Sequence, residues 1–156
     1  MKSVERRVCN RFNVPGASVT WTQPSRLPFV SATAEPGCLV MDMSRGGVRF
    51  LASRPLKPGA YLELEIDVPD GKSPIRVSGR VVWSWLRPAR SYEVGVEFEP
   101  YGDVARANHP EALRRMVGLE SRFACLGDGL PERASITPAL LGPPTESVPP
   151  RWLGRA

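Results

Sequence analysis

Residues 58–85 read PGAYLELEIDVPDGKSPIRVSGRVVWSW and decide the fold, because they hold two runs of alternating polarity joined by the turn sequence PDGKSP. Apolar residues recur at every second position in the two runs: Leu62, Leu64, Ile66 and Val68, then Ile75, Val77, Val81, Trp83 and Trp85. A period of two is typical of a strand with one buried face. We therefore predict a hairpin whose inner face carries these residues, both tryptophans included.

The opposite face of this hairpin is charged. Carboxylates alternate along the first run and arginines along the second: Glu63, Glu65 and Asp67, then Arg76 and Arg80. Pairs of opposite charge across a hairpin contribute about 0.2–1 kcal/mol each. We interpret these residues as a solvated sheet face and not as a site.

Four further segments have the character of strands, at residues 17–21, 38–42, 48–52 and 91–99. In the last, SYEVGVEFE, one face is apolar and the other acidic: Tyr92, Val94, Val96 and Phe98 against Glu93, Glu97 and Glu99. About six short strands separated by turn signals indicate a mainly β protein, built as an antiparallel barrel or sandwich.

One helix is predicted, over residues 108–124, with the sequence NHPEALRRMVGLESRFA. Asn108 and Glu111 fit a capping pair at its start, and an apolar stripe faces the barrel: Ala112, Leu113, Met116, Val117 and Phe123. We interpret His109 as a surface cap residue, because it has no partners for a metal nearby in sequence. From residue 127 to 156 recurrent prolines and glycines predict a disordered tail.

The composition excludes several classes of protein. The 156 residues favour one domain with appendages, and no apolar run approaches the roughly 18–20 residues of a membrane span. The first ten residues lack the apolar centre of a signal peptide, so we expect a cytoplasmic protein without membrane insertion. Cys9, Cys38 and Cys125 are widely spaced, which argues against a metal site or a disulfide framework.

Two short segments carry polar groups that suit an anionic ligand. The chain has a formal charge of +5, and its first eleven residues contain Lys2, Arg6, Arg7 and Arg11 against Glu5 alone. Residues 41–50, MDMSRGGVRF, place Asp42, Ser44 and Arg45 beside a glycine turn in which we expect Gly46 and Gly47 to take positive φ values. The alternative is that Asp42 and Ser44 only cap the turn through its own backbone.

These two segments together resemble the PilZ domain family. Arg7 and Arg11 fit its RxxxR pattern, and Asp42, Ser44 and Gly47 fit its DxSxxG pattern, in the family's order and followed by a barrel-like sequence. The resemblance covers about residues 5–123. It implies a six-stranded antiparallel β-barrel with a C-terminal α-helix, found in bacteria as a receptor for the second messenger cyclic di-GMP and not as an enzyme.

The resemblance also implies which residues bind. Arg7 and Arg11 come from a flexible N-terminal arm, residues 1–16, which closes over the ligand, and Asp42, Ser44 and Gly47 come from the barrel. The chemistry agrees, because a guanidinium grips phosphate oxygens or guanine edges bidentately and a carboxylate accepts guanine N–H groups. Arg6 and Arg45 add electrostatic attraction. No cofactor or metal is expected, only the ligand and an unidentified downstream protein.

Two other functions remain open. The first is a protein-interaction adaptor of the same fold that does not bind cyclic di-GMP. The second is a basic barrel that binds single-stranded nucleic acid, which needs exposed aromatics beside cations. This alternative is disfavoured, because the tryptophans occupy the inner register of the predicted hairpin. An enzyme is the least favoured option, because no nucleophile has a base at recognisable spacing and the carboxylates fall on the solvated strand face.

Overall fold

The computed structural model describes residues 10–127. Within that range the chain forms six strands, a short 3-10 turn and one helix, which follow one another in this order: β1 Ser18–Gln23, β2 Thr33–Ser44, β3 Gly47–Ala52, β4 Tyr61–Asp67, β5 Ile75–Arg87, the 3-10 turn Pro88–Arg90, β6 Ser91–Phe98 and α1 Pro110–Gly127. No helix in this part of the chain is long and apolar enough to cross a membrane.

The six strands close into a barrel in the order β1-β2-β3-β6-β5-β4, and every neighbouring pair is antiparallel. This confirms the predicted six-stranded antiparallel barrel with a C-terminal helix. A single cluster of buried apolar side chains fills the barrel and continues under α1, where Met116 is fully buried.

The hairpin β4–β5 follows the predicted alternation through its first half. Leu62, Leu64 and Ile66 are fully buried, and Val77 and Val81 on β5 lie on the same inner face. The outward carboxylates and arginines are exposed as expected, and Glu65 and Arg76 form one of the cross-strand ion pairs, with Oε1 and Nε 3.1 Å apart. The period of two therefore predicted the correct inner face.

The prediction for the second half of β5 was wrong. Val81 pairs with Val96, but the next pair is Trp83 with Gly95, so β5 contains one extra residue, Val82, at a β-bulge. A bulge of one residue moves every later side chain to the other face of the sheet. Trp83 and Trp85 consequently lie on the outer face, and Trp85 is 64% exposed.

Strand β2 begins five residues earlier than expected, at Thr33, because a second bulge accommodates two residues that normally break a strand. Between Cys38 and Glu35 the ladder to β1 shifts register at Pro36 and Gly37, and Gly37 adopts a φ of 67°. Proline and positive-φ glycine are tolerated in a strand mainly at such bulges. The longer β2 carries its pairing with β1 out to Thr33.

The helix starts at Pro110, and the structure confirms the interpretation of His109 as an exposed cap residue, whereas the predicted capping pair of Asn108 and Glu111 was wrong. His109 Nδ1 accepts a hydrogen bond from the backbone N–H of Glu111 at 3.1 Å, so His109 is the cap residue. Asn108 instead is buried, and its side chain exchanges hydrogen bonds with the backbone of Ser78 and donates to the carbonyl of Glu99. Asn108 thus fastens the chain to β5 and to the end of β6 before the helix begins.

The apolar stripe of α1 follows the prediction except at one residue, and Phe123 packs against the core as expected. Ala112 and Met116 face the barrel as expected, but Val117 is 40% exposed and Leu119 is buried in its place. Ala112, Met116 and Leu119 keep the three-to-four-residue spacing that one helix face requires, whereas Val117 follows Met116 directly and therefore points about 100° away.

The segment before β1 is packed against the barrel from Phe12 onward. Phe12 and Val14 are core residues, and Phe12 forms two backbone hydrogen bonds of 2.9 Å with Met43 on β2. Residues 12–16 of the expected flexible arm are therefore anchored. Arg6, Arg7, Cys9 and the tail beyond residue 127 lie outside the described residues.

Candidate functional site

The corner that joins β2 to β3 contains the residues of the DxSxxG pattern, Asp42, Ser44 and Gly47. Ser44 pairs with Gly47 across a two-residue turn, and Ser44 Oγ accepts a hydrogen bond from the backbone N–H of Gly46 at 3.2 Å. Ser44 therefore caps the turn, as the alternative interpretation held, while Asp42 points elsewhere. Its carboxylate lies on the outer face of the sheet and pairs across the strands with Arg49.

The role predicted for the two glycines was wrong. Neither Gly46 nor Gly47 has a positive φ. Gly47 is required by close packing instead, because a Cβ at this position would lie 2.4 Å from the carbonyl oxygen of Val96 on β6. A carbon and an oxygen cannot approach that closely, so glycine at 47 allows β3 to lie against β6 at the corner.

Arg11 of the first motif meets Asp42 of the second. Its Nη1 donates a hydrogen bond to Asp42 Oδ1 at 2.6 Å. The backbone bonds between Phe12 and Met43 place Arg11 beside this carboxylate, and the side chain of Asn13 donates to the carbonyl of Met41 at 2.7 Å. Of the predicted site residues, the structure thus brings Arg11, Asp42, Ser44 and Gly47 to one corner of the barrel.

The Arg11–Asp42 pair continues into a longer chain of charges on the outer face. Arg49 donates to Asp42 Oδ2, and its other terminal nitrogen lies 3.0 Å from Glu93 Oε1. The second oxygen of Glu93 is 3.2 Å from Arg87. Three guanidinium groups therefore alternate with two carboxylates, which leaves an excess positive charge facing solvent.

The two carboxylates of this chain are far less exposed than its outer arginines. The Asp42 and Glu93 side chains are 16% and 6% exposed, whereas those of Arg11 and Arg87 are 45% and 51% exposed. Glu93 was predicted on a solvated face, and the structure buries it beneath its arginines. The acids thus act as fixed anchors, and the exposed guanidinium groups at the two ends of the chain remain accessible to a ligand.

An aromatic surface adjoins this charged chain. Arg49 pairs with Gly95 and Gly95 with Trp83, so the three positions lie in one row across β3, β6 and β5. The Trp83 indole covers Gly95 so closely that a Cβ there would be 2.4 Å from the ring. Trp85 stacks on Trp83 with ring centroids 4.8 Å apart, and both lie on the outer face.

Arg45 in the turn is directed to α1. Its Nε lies 2.7 Å from Glu120 Oε2, and its carbonyl accepts a hydrogen bond from Tyr101 Oη at 2.7 Å. We expected Arg45 to contribute general electrostatic attraction, but its charge is paired with that of a nearly buried glutamate. These contacts tie the corner to the helix, and a cavity of about 370 Å³ lies between the two, lined in part by Gly46, Phe98 and Leu113.

The sequence did not reveal Arg49, Glu93 or the outer position of the tryptophans. For Arg49 a signal exists, because a two-residue turn after Ser44 places residue 49 opposite the segment that contains Asp42. For the tryptophans the signal is absent, since the bulge at Val82 has no glycine or proline to mark it.

The side chains that the structure describes, those of residues 10–124, offer neither an activated thiol nor a metal cluster. Cys38 is buried, and burial, reinforced by the charge of Glu35, raises its pKa to about 12, so the thiol stays protonated and unreactive at neutral pH. In this part of the chain no group of three or more histidine, cysteine, aspartate or glutamate side chains is arranged to hold a metal ion.

Comparison with known families agrees with the fold and the motifs. The profile described as PilZ domain matches residues 5–117, which is well over half of the chain. The protein therefore belongs to the PilZ domain family. No curated protein sequence matches the chain significantly.

Solved structures of similar fold include the following two. The Bacillus subtilis inhibitor of motility, MotI/DgrA, superposes with a TM-score of 0.57 at 16% identity, over 83% of this chain and 56% of that one. K. pneumonia MrkH, solved as a complex with c-di-GMP, gives a TM-score of 0.54 at 16% identity, over 80% of this chain and 56% of that one. The chain thus spans about half the length of these structures.

Proposed function

We propose that the protein is a receptor for cyclic di-GMP that binds the dinucleotide at the Asp42–Gly47 corner and passes the signal to a protein partner. The observation that carries the proposal is the contact between Arg11 and Asp42, since it joins the RxxxR and DxSxxG patterns of the family at one place. The PilZ family and the c-di-GMP complex of MrkH support the choice of ligand.

The ligand's chemistry fits the surface that surrounds this corner. Cyclic di-GMP has two phosphodiester charges and two guanines, which call for cations, hydrogen-bond acceptors and stacking partners. Arg7 and Arg11 supply guanidinium groups, Asp42 an acceptor for guanine N–H groups and Ser44 a hydroxyl, and Gly47 shapes the corner by allowing β3 to lie against β6. The exposed Trp85 adds a flat apolar surface on which a base can stack.

The resting ion pair suggests how binding proceeds. Arg11 leaves Asp42 Oδ1 and turns to a phosphate or a guanine, while Arg49 keeps hold of Asp42 Oδ2. The freed carboxylate oxygen then accepts from the ligand without moving. Because Phe12 and Val14 are anchored in the core, the closing movement is confined to the chain before Phe12. Because the resting pair of Arg11 and Asp42 must break before the ligand binds, we expect micromolar affinity.

Isothermal titration calorimetry on the full chain tests the proposal. We expect saturable binding of cyclic di-GMP, and losses of about 1.5–3 kcal/mol in Arg7→Ala and in Arg11→Ala, equal to some ten- to hundredfold in affinity. Arg54→Ala is the matched control, because Arg54 is exposed and carries the same charge outside the corner. If Arg11→Ala binds as tightly as the parent, or the parent does not bind, the receptor function is wrong.

Absence of binding to the parent would leave the PilZ-fold adaptor as the remaining function of this class. The adaptor needs the barrel and a partner surface but no ligand. The adaptor function predicts that Arg11→Ala leaves every measurable interaction of the protein unchanged. The receptor function predicts that Arg11→Ala weakens the binding of cyclic di-GMP.

One observation also favours the nucleic-acid alternative. The sequence pattern disfavours it by placing both tryptophans inside the barrel, but Trp85 is exposed on the outer face, which also carries Arg49 and Arg87. Stacking aromatics beside cations are what a single-strand binder requires. A titration with a short oligonucleotide separates the two: steep salt dependence together with no response to cyclic di-GMP would favour nucleic acid.

A further inference from the structure

A second cavity lies away from the Asp42–Gly47 corner. Its volume is about 740 Å³, within the range of roughly 300–1,000 Å³ typical of ligand sites. The end of β1 and the connection to β2 form one wall, the start of β4 forms another, and Arg80 on β5 and Arg106 in the connection to α1 complete it. None of its lining residues belongs to the proposed cyclic di-GMP site.

The charged residues that line this cavity are mostly basic. Arg26, Arg80 and Arg106 face one carboxylate, that of Glu63. Arg80 is engaged, because its Nε lies 2.9 Å from Glu99 Oε1 and its guanidinium sits over the ring of Tyr61 at 5.7 Å. Within the described part of the chain neither Arg26 nor Arg106 forms an ion pair, so both guanidinium groups are available to an anionic partner.

Apolar side chains stand beside these cations. Leu27 and Val30 line the cavity and are 66% and 54% exposed, and Phe29 between them is fully exposed with a φ of 69°. Several large apolar residues exposed together on one short connection indicate an interaction surface. A small anion in the cavity would leave Phe29 in water, whereas a polypeptide would cover it.

From this combination we infer that the cavity is a docking site for a partner protein, which inserts an acidic segment carrying apolar side chains. Its carboxylates pair with Arg26 and Arg106, and its leucine or phenylalanine side chains pack against Leu27 and Val30. The inference rests on the proposed function only in treating this partner as the downstream protein, since the cavity does not depend on cyclic di-GMP.

Fluorescence anisotropy with three labelled twelve-residue peptides tests the inference on the full chain. The probe alternates glutamate or aspartate with leucine or phenylalanine. One control peptide has glutamine and asparagine in place of the acids, and the other has serine in place of the apolar residues. We expect saturable binding of the probe, about tenfold weaker binding of each control, and weaker binding at higher salt.

Three substitutions locate the binding on the protein. Arg26→Glu, Arg106→Glu and Leu27→Asp change exposed side chains, so the fold is retained, which circular dichroism checks. Each is expected to weaken binding of the probe about tenfold, because the two arginine variants lose a charge-assisted contact and Leu27→Asp loses an apolar contact and repels the acidic peptide. Arg54→Glu makes the same charge change elsewhere on the surface and is expected to leave binding unaltered.

The outcomes separate this surface from the receptor function. The docking site is overturned if Arg54→Glu weakens binding of the probe as much as Arg26→Glu does. It is also overturned if the neutral peptide binds as tightly as the probe, or if the probe does not bind. Citrate serves as a small anion for comparison. If citrate binds at the same site as tightly as the probe, the site is not one for a polypeptide. A parallel titration with cyclic di-GMP, in which binding is expected to weaken some ten- to hundredfold in Arg11→Ala and to be kept in Arg26→Glu, shows whether the receptor function fails independently.

Discussion

Arg11 Nη1 lies 2.6 Å from Asp42 Oδ1, although the two residues are 31 positions apart in the sequence. The contact exists because Phe12 and Met43 exchange two backbone hydrogen bonds, which fixes the neighbouring side chains side by side. An arginine that is paired, 45% exposed and held at the edge of a barrel is well placed to exchange its carboxylate partner for a ligand phosphate.

Arg49 is the first residue to test, because it holds both acids of the site. Arg49→Met removes the bond to Asp42 Oδ2 and leaves the buried Glu93 with Arg87 alone. We expect the free energy of unfolding to fall by about 1.5–3 kcal/mol, as for other hydrogen bonds to charged groups. Urea denaturation measures this, and Arg54→Met is the control. Equal stability of Arg49→Met and the parent would show that the chain of charges contributes nothing.

Trp85 tests the stacking surface separately from the charges. Trp85→Ala is expected to weaken cyclic di-GMP binding by about 1–3 kcal/mol, the range for one base stacked on an aromatic ring. Because the residue is 64% exposed, the unfolding free energy changes little. Calorimetry beside a denaturation curve distinguishes the two effects. Binding identical to the parent would exclude Trp85 from the site.

Gly47 and Gly118 form a matched pair of glycine-to-alanine substitutions. A Cβ at Gly47 would lie 2.4 Å from the Val96 carbonyl oxygen, whereas one at Gly118 in α1 meets nothing within 4 Å. We expect Gly47→Ala to lower the unfolding free energy by about 1–3 kcal/mol and Gly118→Ala to raise it by about 0.5–1 kcal/mol. Chemical denaturation gives both values. A neutral Gly47→Ala would contradict the close approach of β3 and β6.

The fold was largely predictable, and the outer surface of the barrel much less so. The alternation of Leu62, Leu64 and Ile66 specifies an inner face without further information, because burial of apolar side chains dominates a half-buried strand. The position of a bulge depends instead on how a strand pairs with its neighbour in the closed barrel. The outer position of Trp83 and Trp85 therefore follows from the pairing of β5 with β6.

The candidate site was partly predictable for a related reason. The two motifs indicated Arg11 and Asp42 through a family resemblance, and the structure places the two side chains in contact. Asn108 shows the limit of local rules. Its side chain has the form of a helix cap, but hydrogen bonds to Ser78 and Glu99, distant in sequence, take it away from the helix.

Asp70 makes the docking of α1 sensitive to acid. The backbone N–H of Lys72, at 3.0 Å, lowers the pKa of Asp70 from its ordinary value of 3.8, and Arg115 on the helix lowers it further. A lowered pKa means that the charged form stabilises the fold above pH 3.8 and that this stability is lost as the pH falls through the pKa of the folded state.

The Asp70→Asn variant checks this direction. We expect the parent to be the more stable of the two at about pH 6, and the difference to shrink steadily in urea denaturation curves taken below about pH 4. A difference that stays constant down to the lowest pH would show that the charge of Asp70 does not support the fold.

The most direct test of the central claim is a nuclear magnetic resonance titration with cyclic di-GMP. It follows the Nε–H signal of Arg11 together with the backbone amides of Ser44, Gly46 and Gly47. If the arginine segment and the barrel corner bind one ligand, all four signals shift along curves with the same dissociation constant. Shifts of the Arg11 signal without those of the corner, or with a different dissociation constant, would contradict a single site shared by the two motifs.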